Sequence, residues 1–238
     1  MKLKYKRILI KFSGEAFSGK KSFGLDFGSI RAIAKELVGL RRAGVDLAVV
    51  VGGGNIFRGR AIPRQTIDQA TADYMGMIGT LINALALQAE IEKQGAETRV
   101  MTALSMKEVA EDYIRRKATS HLSKGRIVLF AAGTGNPYFT TDTAAALRAL
   151  EIGAEVLLKA TTHVDGVYTG DPNKDKKAKK LSEVTFQEAL VQHLKIMDST
   201  AFSLCQDNKL PTVVFKYEPG VLAKVLRGEK VGTLVRWK

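Results

Sequence analysis

Three times in 238 residues an apolar, β-rich run passes directly into a glycine-rich loop. Ile8-Leu9-Ile10 leads into Lys11-Phe12-Ser13-Gly14, Leu47 to Val51 into Gly52-Gly53-Gly54-Asn55, and Ile127 to Ala131 into Gly133-Thr134-Gly135-Asn136. Glycine at the end of a buried strand lets backbone N–H groups approach a ligand without Cβ interference. A helix starting just beyond adds the positive end of its dipole, so each loop is a candidate phosphate cradle. Three such loops predict a site that holds several phosphates at once, as phosphoryl transfer requires. They also constrain the fold. Apolar runs alternating with helix-period segments along the whole chain predict an α/β protein, a three-layer α/β/α sandwich with a mostly parallel central sheet.

The periodicity predicts helices over Ser29 to Arg42, closed by Gly44, and from about Thr66 to near Gly95. Gly76 and Gly79 weaken the second of these, which predicts close approach of another backbone or a ligand there. Further helices are expected over Glu111 to Leu122, Thr141 to Glu151, Thr185 to His193, Asp198 to Asn208 and Val221 to Arg227. Val164-Asp165-Gly166-Val167-Tyr168 reads as a tight hairpin turn. No repeat or low-complexity linker divides the chain, so residues 1–238 are read as one domain. An acceptor-side lobe of about 1–160 and a donor-side lobe of about 161–238 would have their seam near the lysine-rich stretch 171–180.

Composition sets the surroundings. Hydrophobic content of 45% and charged content of 26% are those of an ordinary globular chain. The single cysteine, Cys205, allows no internal disulfide, and no run approaches the ~18 apolar residues of a membrane span. A cytoplasmic enzyme is expected. The net charge of +13 suits a polyanionic partner, either nucleotide phosphates or nucleic acid. The densest basic run, Lys174-Asp175-Lys176-Lys177-Ala178-Lys179-Lys180, carries no interleaved aromatic for base stacking and reads as a solvated loop.

Two nucleotide-binding patterns fail. Gly14-Glu15-Ala16-Phe17-Ser18-Gly19-Lys20-Lys21 matches G-x4-G-K-[ST] except at the last position, where Lys21 cannot supply a hydroxyl to Mg²⁺. The dinucleotide pattern G-x-G-x-x-G meets Phe57 in one loop and Tyr138 in another, where its third glycine belongs. What remains, Lys11-x-Ser13-Gly14, Gly52-Gly53-Gly54-Asn55 and Gly133-Thr134-Gly135-Asn136-Pro137, resembles the amino acid kinase family. Within it, Gly53-Gly54-Asn55-Ile56-Phe57-Arg58-Gly59, Ala72-Asp73-Tyr74-Met75-Gly76-Met77, Gly135 to Asp142 and Met197 to Phe202 resemble the bacterial UMP kinases. The similarity runs in order from about Tyr5 to Val235.

The resemblance implies transfer of the ATP γ-phosphoryl group to UMP, with Mg²⁺ arriving on ATP and no metal site built from protein alone. It implies catalytic roles for Lys11 and Asp198, the latter organising the lysine. It implies ATP contacts at Lys11, Phe12, Ser13, Gly14, Gly54, Arg58, Thr161, Tyr168 and Asp171. UMP contacts are implied at Gly53, Arg58, Asp73, Thr134, Gly135, Asn136, Pro137, Tyr138, Phe139, Thr140 and Thr141. Gly19, Lys20, Lys21, Ser22, Phe23 and Gly24 match a segment linked to activation by GTP, where the two lysines fit either an effector triphosphate or a solvated turn. Inhibition by UTP and a homohexamer are implied as well. The stretch Thr161-Thr162-His163-Val164-Asp165 departs from the family pattern, with one extra residue and no lysine before Val-Asp-Gly.

The residues themselves carry part of this chemistry. A lysine at a strand end beside Ser13-Gly14 puts a cation on a phosphoryl group in flight. The Arg58 guanidinium can hold a monophosphate at two points, and Asp73 can accept from ribose hydroxyls. Asp198, Thr141 and Asp142 also fit as helix caps, and His121 and His193 as ordinary helix residues. Two alternatives stay open: a kinase of the same fold acting on a carboxylate or carbamate, and a nucleic-acid-binding regulator.

Overall fold

The computed structural model describes residues 3–21, 23–59, 63, 65–172, 174–175 and 177–237. In chain order the first elements are β1 (Arg7–Phe12), α1 (Glu15–Ser18), α2 (Phe27–Arg42), β2 (Asp46–Val51), α3 (Gln69–Lys93) and β3 (Thr98–Thr102). There follow β4 (Glu111–Asp112), α4 (Arg115–Ser123), β5 (Ile127–Ala131), α5 (Thr141–Glu151), β6 (Val156–Thr161) and β7 (Val167–Tyr168). The chain closes with β8 (Lys180–Leu181), β9 (Glu183–Thr185), α6 (Phe186–Val191), α7 (Ser199–Asp207), β10 (Thr212–Lys216), α8 (Val221–Leu226) and β11 (Thr233–Arg236).

Among the described residues nine strands form one sheet in the order β4-β3-β5-β2-β1-β6-β10-β11-β9. Its ladders are parallel except β10 with β11. The strands alternate their side chains between two apolar layers. Ile8, Ile10 and Phe12 of β1 join Leu47, Val49 and Val51 of β2 beneath α2, α3 and α8. Leu9, Ala48, Val50 and Phe130 face the opposite layer, with Ala145 and Ala149 of α5 and Ala201 and Cys205 of α7. This is the expected three-layer α/β/α arrangement. Parallel strands buried on both faces need near-continuous apolar sequence, and β2 (Asp-Leu-Ala-Val-Val-Val) has it.

The helix expected over Glu111 to Leu122 is a strand followed by a shorter helix. Glu111 and Asp112 pair with Met101 and Thr102, and Tyr113 N–H extends that ladder to the Thr102 carbonyl at 2.9 Å. Edge pairing overrides the local helical pattern, and α4 starts only at Arg115. The hairpin expected around Gly166 also forms differently. Val167 and Tyr168 pair with Leu181 and Lys180, so the turn between the strands is the long segment 169–179. Gly166 is required for packing: a Cβ there would lie 2.6 Å from Thr233 Oγ1. The lysine-rich stretch therefore links β7 to β8, while the main sheet continues from β1 through β6 to β10.

Gly53 and Gly79 explain each other. A Cβ on Gly53 would stand 2.6 Å from the Gly76 carbonyl oxygen, and one on Gly79 would stand 3.4 Å from the Gly53 oxygen. The second glycine loop thus lies directly on the backbone of α3, as the glycines in that helix suggested.

Candidate active site

The first and second glycine loops interlock at the ends of β1 and β2. A Cβ on Gly14 would meet Gly54 N at 2.6 Å, and one on Gly52 would meet Gly14 N at 2.8 Å. Buried Asn55 ties the loops further. Its Nδ2 donates to the Gly24 carbonyl at 2.9 Å, while Asn83 Nδ2 donates to Asn55 Oδ1 at 2.7 Å and to the Gly52 carbonyl at 2.6 Å. Among the described residues Ser13 Oγ is buried with no hydrogen-bond partner, a polar atom in the first glycine loop with bonding capacity to spare.

At the end of β1, two ammonium groups converge. Lys11 pairs in register with Lys159 of β6, so the two side chains leave neighbouring strands on the same face. Both reach Asp142 in the first turn of α5: Lys11 Nζ lies 2.9 Å from one carboxylate oxygen and Lys159 Nζ lies 2.5 Å from the other. Lys159 also donates to the Ile196 carbonyl at 2.7 Å. Burial opposes ionisation of Asp142, but the charges of Lys11 and Lys159 prevail and hold its carboxyl below the ordinary range. Burial, together with the Lys11 charge, draws Lys159 below the usual lysine range against the pull of Asp142.

The carboxylate bonded directly to Lys11 is therefore Asp142, whereas Asp198, expected to organise this lysine, makes its own hydrogen bonds elsewhere in the cleft. Asp198 caps α7 by accepting from Ala201 N–H at 3.0 Å, and it accepts from Thr143 Oγ1 at 2.9 Å and from Thr140 Oγ1. Through those threonines it fixes the start of α5, and its charge acts on Lys159. The geometric reason is register: the α5 N-terminus abuts β1, whereas the start of α7 abuts the threonines one step away. Lys159 is absent from the sequence-based set. Its signal is a lone basic residue inside the apolar run Val156-Leu157-Leu158-Lys159-Ala160, matching Lys11 in β1.

A cleft of about 980 Å³ opens over this centre, lined by Lys11, Asp73, Tyr138, Thr141, Asp142 and Asp198 among others. A smaller recess of about 160 Å³ continues it between Gly53, Gly54, Gly76, Thr134 and Thr140. Asp73 is held at the mouth, accepting from Gln69 Nε2 at 2.8 Å and from Tyr138 N–H at 2.7 Å. Tyr138 has φ 71 and Gly135 φ 80, so the third loop is a tight left-handed bend. Within it, Thr134 Oγ1 accepts from Asn136 N–H at 3.2 Å. Pro137, Phe139 and Thr141 carry the bend to α5, capped by Thr140.

Other expected residues lie elsewhere. The Phe12 side chain points into the opposite layer, edge-on to Phe17 and Tyr217, so only its backbone faces the loops. Thr161 turns its hydroxyl to the Val164 carbonyl. Tyr168 and Asp171 line a separate cavity of about 470 Å³ with Gly166, Pro172, His193 and Lys195. The Tyr168 hydroxyl donates to Asp165 at 2.6 Å. Arg58 donates to the Gly54 carbonyl at 2.9 Å and pairs with Glu15. In the 19–24 segment Lys20 and Lys21 are exposed, while Ser22 lies outside the described residues. Gly24 N–H is tied to the Asn55 carbonyl at 2.7 Å.

No helix among the described residues is long and apolar enough to cross a membrane. The sequence pattern of the amino acid kinase family matches residues 6–216. The chain superposes on the UMP kinase of Bacillus anthracis with a TM-score of 0.94 at 39% identity, covering 98% of this chain and 96% of that one. The UMP kinase of Ureaplasma parvum gives 0.92 at 35% identity, over 98% and 100% of the two chains. The uridylate kinase of Archaeoglobus fulgidus gives 0.74 at 27% identity, over 96% and 99%. With its cationic pair at the strand ends and its interlocked glycine loops, this chain belongs to the amino acid kinase family.

Proposed function

We propose that the chain is a nucleoside monophosphate kinase that transfers the γ-phosphoryl group of ATP to UMP, giving UDP and ADP for pyrimidine nucleotide synthesis. The observation that carries this reading is the Lys11–Asp142–Lys159 bridge beside a cleft whose adjoining recess is lined by glycine-rich loops. A phosphoryl group in transfer spreads negative charge over its oxygens, and two fixed ammonium groups stabilise that charge without reorganising. Asp142 keeps the ammonium groups charged and aligned, while Asp198 aligns the threonines ahead of α5. The acceptor is already an oxyanion near neutral pH, since the second pKa of a phosphate monoester is about 6. No general base is then required.

On the acceptor side, Arg58 takes the UMP phosphate, Asp73 the ribose, and Thr134 to Thr141 the base and phosphate. On the donor side, Ser13, Gly14 and Gly54 take the ATP phosphates, and the cavity at Tyr168 and Asp171 takes its base. Both oxygens of Asp142 are engaged by lysines, and those of Asp198 by Thr140, Thr143 and Ala201. This donor set fits Mg²⁺ that travels on the ATP phosphates and keeps its water ligands.

We extend the proposal to a homohexamer. Its support is the face of α3 that exposes Tyr74, Met75, Ile78 and Ile82, an apolar stripe at helical spacing. GTP as activator at the 19–24 segment and UTP as inhibitor complete the reading. A coupled assay of ADP release across UMP, CMP, aspartate and glutamate tests the substrate. Turnover confined to an amino acid would overturn it, and salt-sensitive DNA retention without turnover would favour the regulator.

A further inference from the structure

One carboxylate ties the acceptor side of the cleft to the donor side. Glu15 is the first residue of α1, directly after Gly14. One of its oxygens pairs with Arg58 Nη2. The other accepts from Thr162 Oγ1 at 2.7 Å and meets His163 Nε2 at 2.8 Å. Arg58 follows β2, whereas Thr162 and His163 follow β6, so residues far apart in sequence meet on a single side chain. The Thr162 hydrogen bond leads the influences that hold the Glu15 carboxyl below its ordinary range; burial opposes it, and the His163 and Arg58 charges assist. Glu15 is therefore an anion at neutral pH.

An anion on Arg58 competes with any phosphate that Arg58 is to hold. A monophosphate reaching that guanidinium must move the Glu15 carboxylate aside, since two anions on one guanidinium repel each other. A nucleoside triphosphate entering beside Thr161 meets the same obstacle from the other side, because Thr162 and His163 are bound to the same carboxylate. We infer that Glu15 is a positioning residue that latches the acceptor loop to the donor loop, so that release of the latch is shared by the two substrates. Whichever ligand arrives first bears the cost of release, and the second enters a cleft already unlatched. Acceptor and ATP then bind with positive coupling within one chain, and the factor is the same in both directions.

This inference rests on the assignment of Arg58 to the acceptor phosphate, and two measurements keep the two claims apart. The first is the UMP dissociation constant, by calorimetry, with and without a saturating non-hydrolysable ATP analogue, for wild type, Glu15→Gln and His163→Ala. In wild type the analogue is expected to tighten UMP by about fivefold or more, within the usual range of coupling between sites. Glu15→Gln keeps the size and hydrogen-bonding reach of the side chain but not its charge. It is expected to bind UMP alone more tightly than wild type, with the analogue's effect reduced to about twofold or less. His163→Ala should fall between the two. Equal coupling in wild type and Glu15→Gln would overturn the latch, as would weaker UMP binding in that variant. The second measurement uses no nucleotide. Amide hydrogen exchange over residues 161–166 should be faster in Glu15→Gln and His163→Ala than in wild type, and unchanged exchange in both would also refute the latch. If exchange rises but wild type binds no UMP, the substrate assignment fails and the latch stands.

Discussion

Replacing Asp142 by Asn removes the charge that Lys11 and Lys159 share while nearly preserving shape. Two unit charges about 4 Å apart attract by about 4 kcal/mol at an effective dielectric constant of about 20. Asp142 makes two such contacts, at 2.9 and 2.5 Å, and the variant leaves Lys11 and Lys159 side by side with no anion between them. Removing one partner of a buried pair costs about 3–5 kcal/mol, and the lower end is expected because Lys159, already drawn below the ordinary lysine range, can shed its proton. The lysine side chains are only 12% and 16% exposed, so water relieves little of this. At an m-value of about 2 kcal/mol/M, a loss of about 3 kcal/mol lowers the urea midpoint by about 1.5 M at fixed protein concentration. The pH dependence follows from the depressed carboxyl. The Asp142 contribution is complete above its unfolded pKa, near 3.8, and disappears as pH falls through the lower folded value. The gap between wild type and Asp142→Asn should therefore be flat from pH 7 down to the region of 3.8 and close only in stronger acid. Phosphoryl transfer at pH 7 should drop by about 100-fold or more, as when a preorganised charge is lost. A midpoint within a few tenths of a molar of wild type, with kcat within threefold at about pH 7, would refute the charge-bridge argument.

Arg58→Ala should weaken UMP binding by about 10- to 100-fold, the range of a lost charged hydrogen bond, and change ATP binding by no more than about threefold. Calorimetry with each nucleotide checks this, and equal losses would undo the acceptor assignment. Because Lys159 titrates below the ordinary lysine range, the ammonium is lost, and kcat falls, as pH rises through that lowered value. Lys159→Arg should keep the charge and move the alkaline limb upward; an unmoved limb would assign it to another group. Gly53→Ala places a Cβ 2.6 Å from the Gly76 carbonyl oxygen and should cost about 1–3 kcal/mol in a denaturation series.

The fold was legible because the signals that specify it are local. Apolar strands ending in glycine, and helices closed by a glycine such as Gly44, can be read without knowing what packs on them. Gly76 and Gly79 even announced a close backbone approach, which Gly53 supplies. The β4 segment was not legible, because its strand character comes from pairing with β3 rather than from its own residues. At the site, Lys11 and Arg58 stood beside glycine loops and could be singled out. Asp142 read equally well as a helix cap, and its partnership with Lys11 depends on how α5 is set against β1. Lys159 becomes a partner of Lys11 only once β6 pairs with β1 in register, a contact across almost 150 residues. The Glu15 contacts to Arg58, Thr162 and His163 lie equally beyond local pattern, because three separate loops must first be brought together.

The reaction proposed for this cleft moves a phosphoryl group from ATP onto the phosphate of UMP. Phosphorus NMR of the wild-type protein with ATP, Mg²⁺ and UMP follows that bond directly. The paired α and β resonances of UDP should grow in step with those of ADP, with no inorganic phosphate ahead of them. Loss of ATP with phosphate release and an unchanged UMP resonance would contradict it.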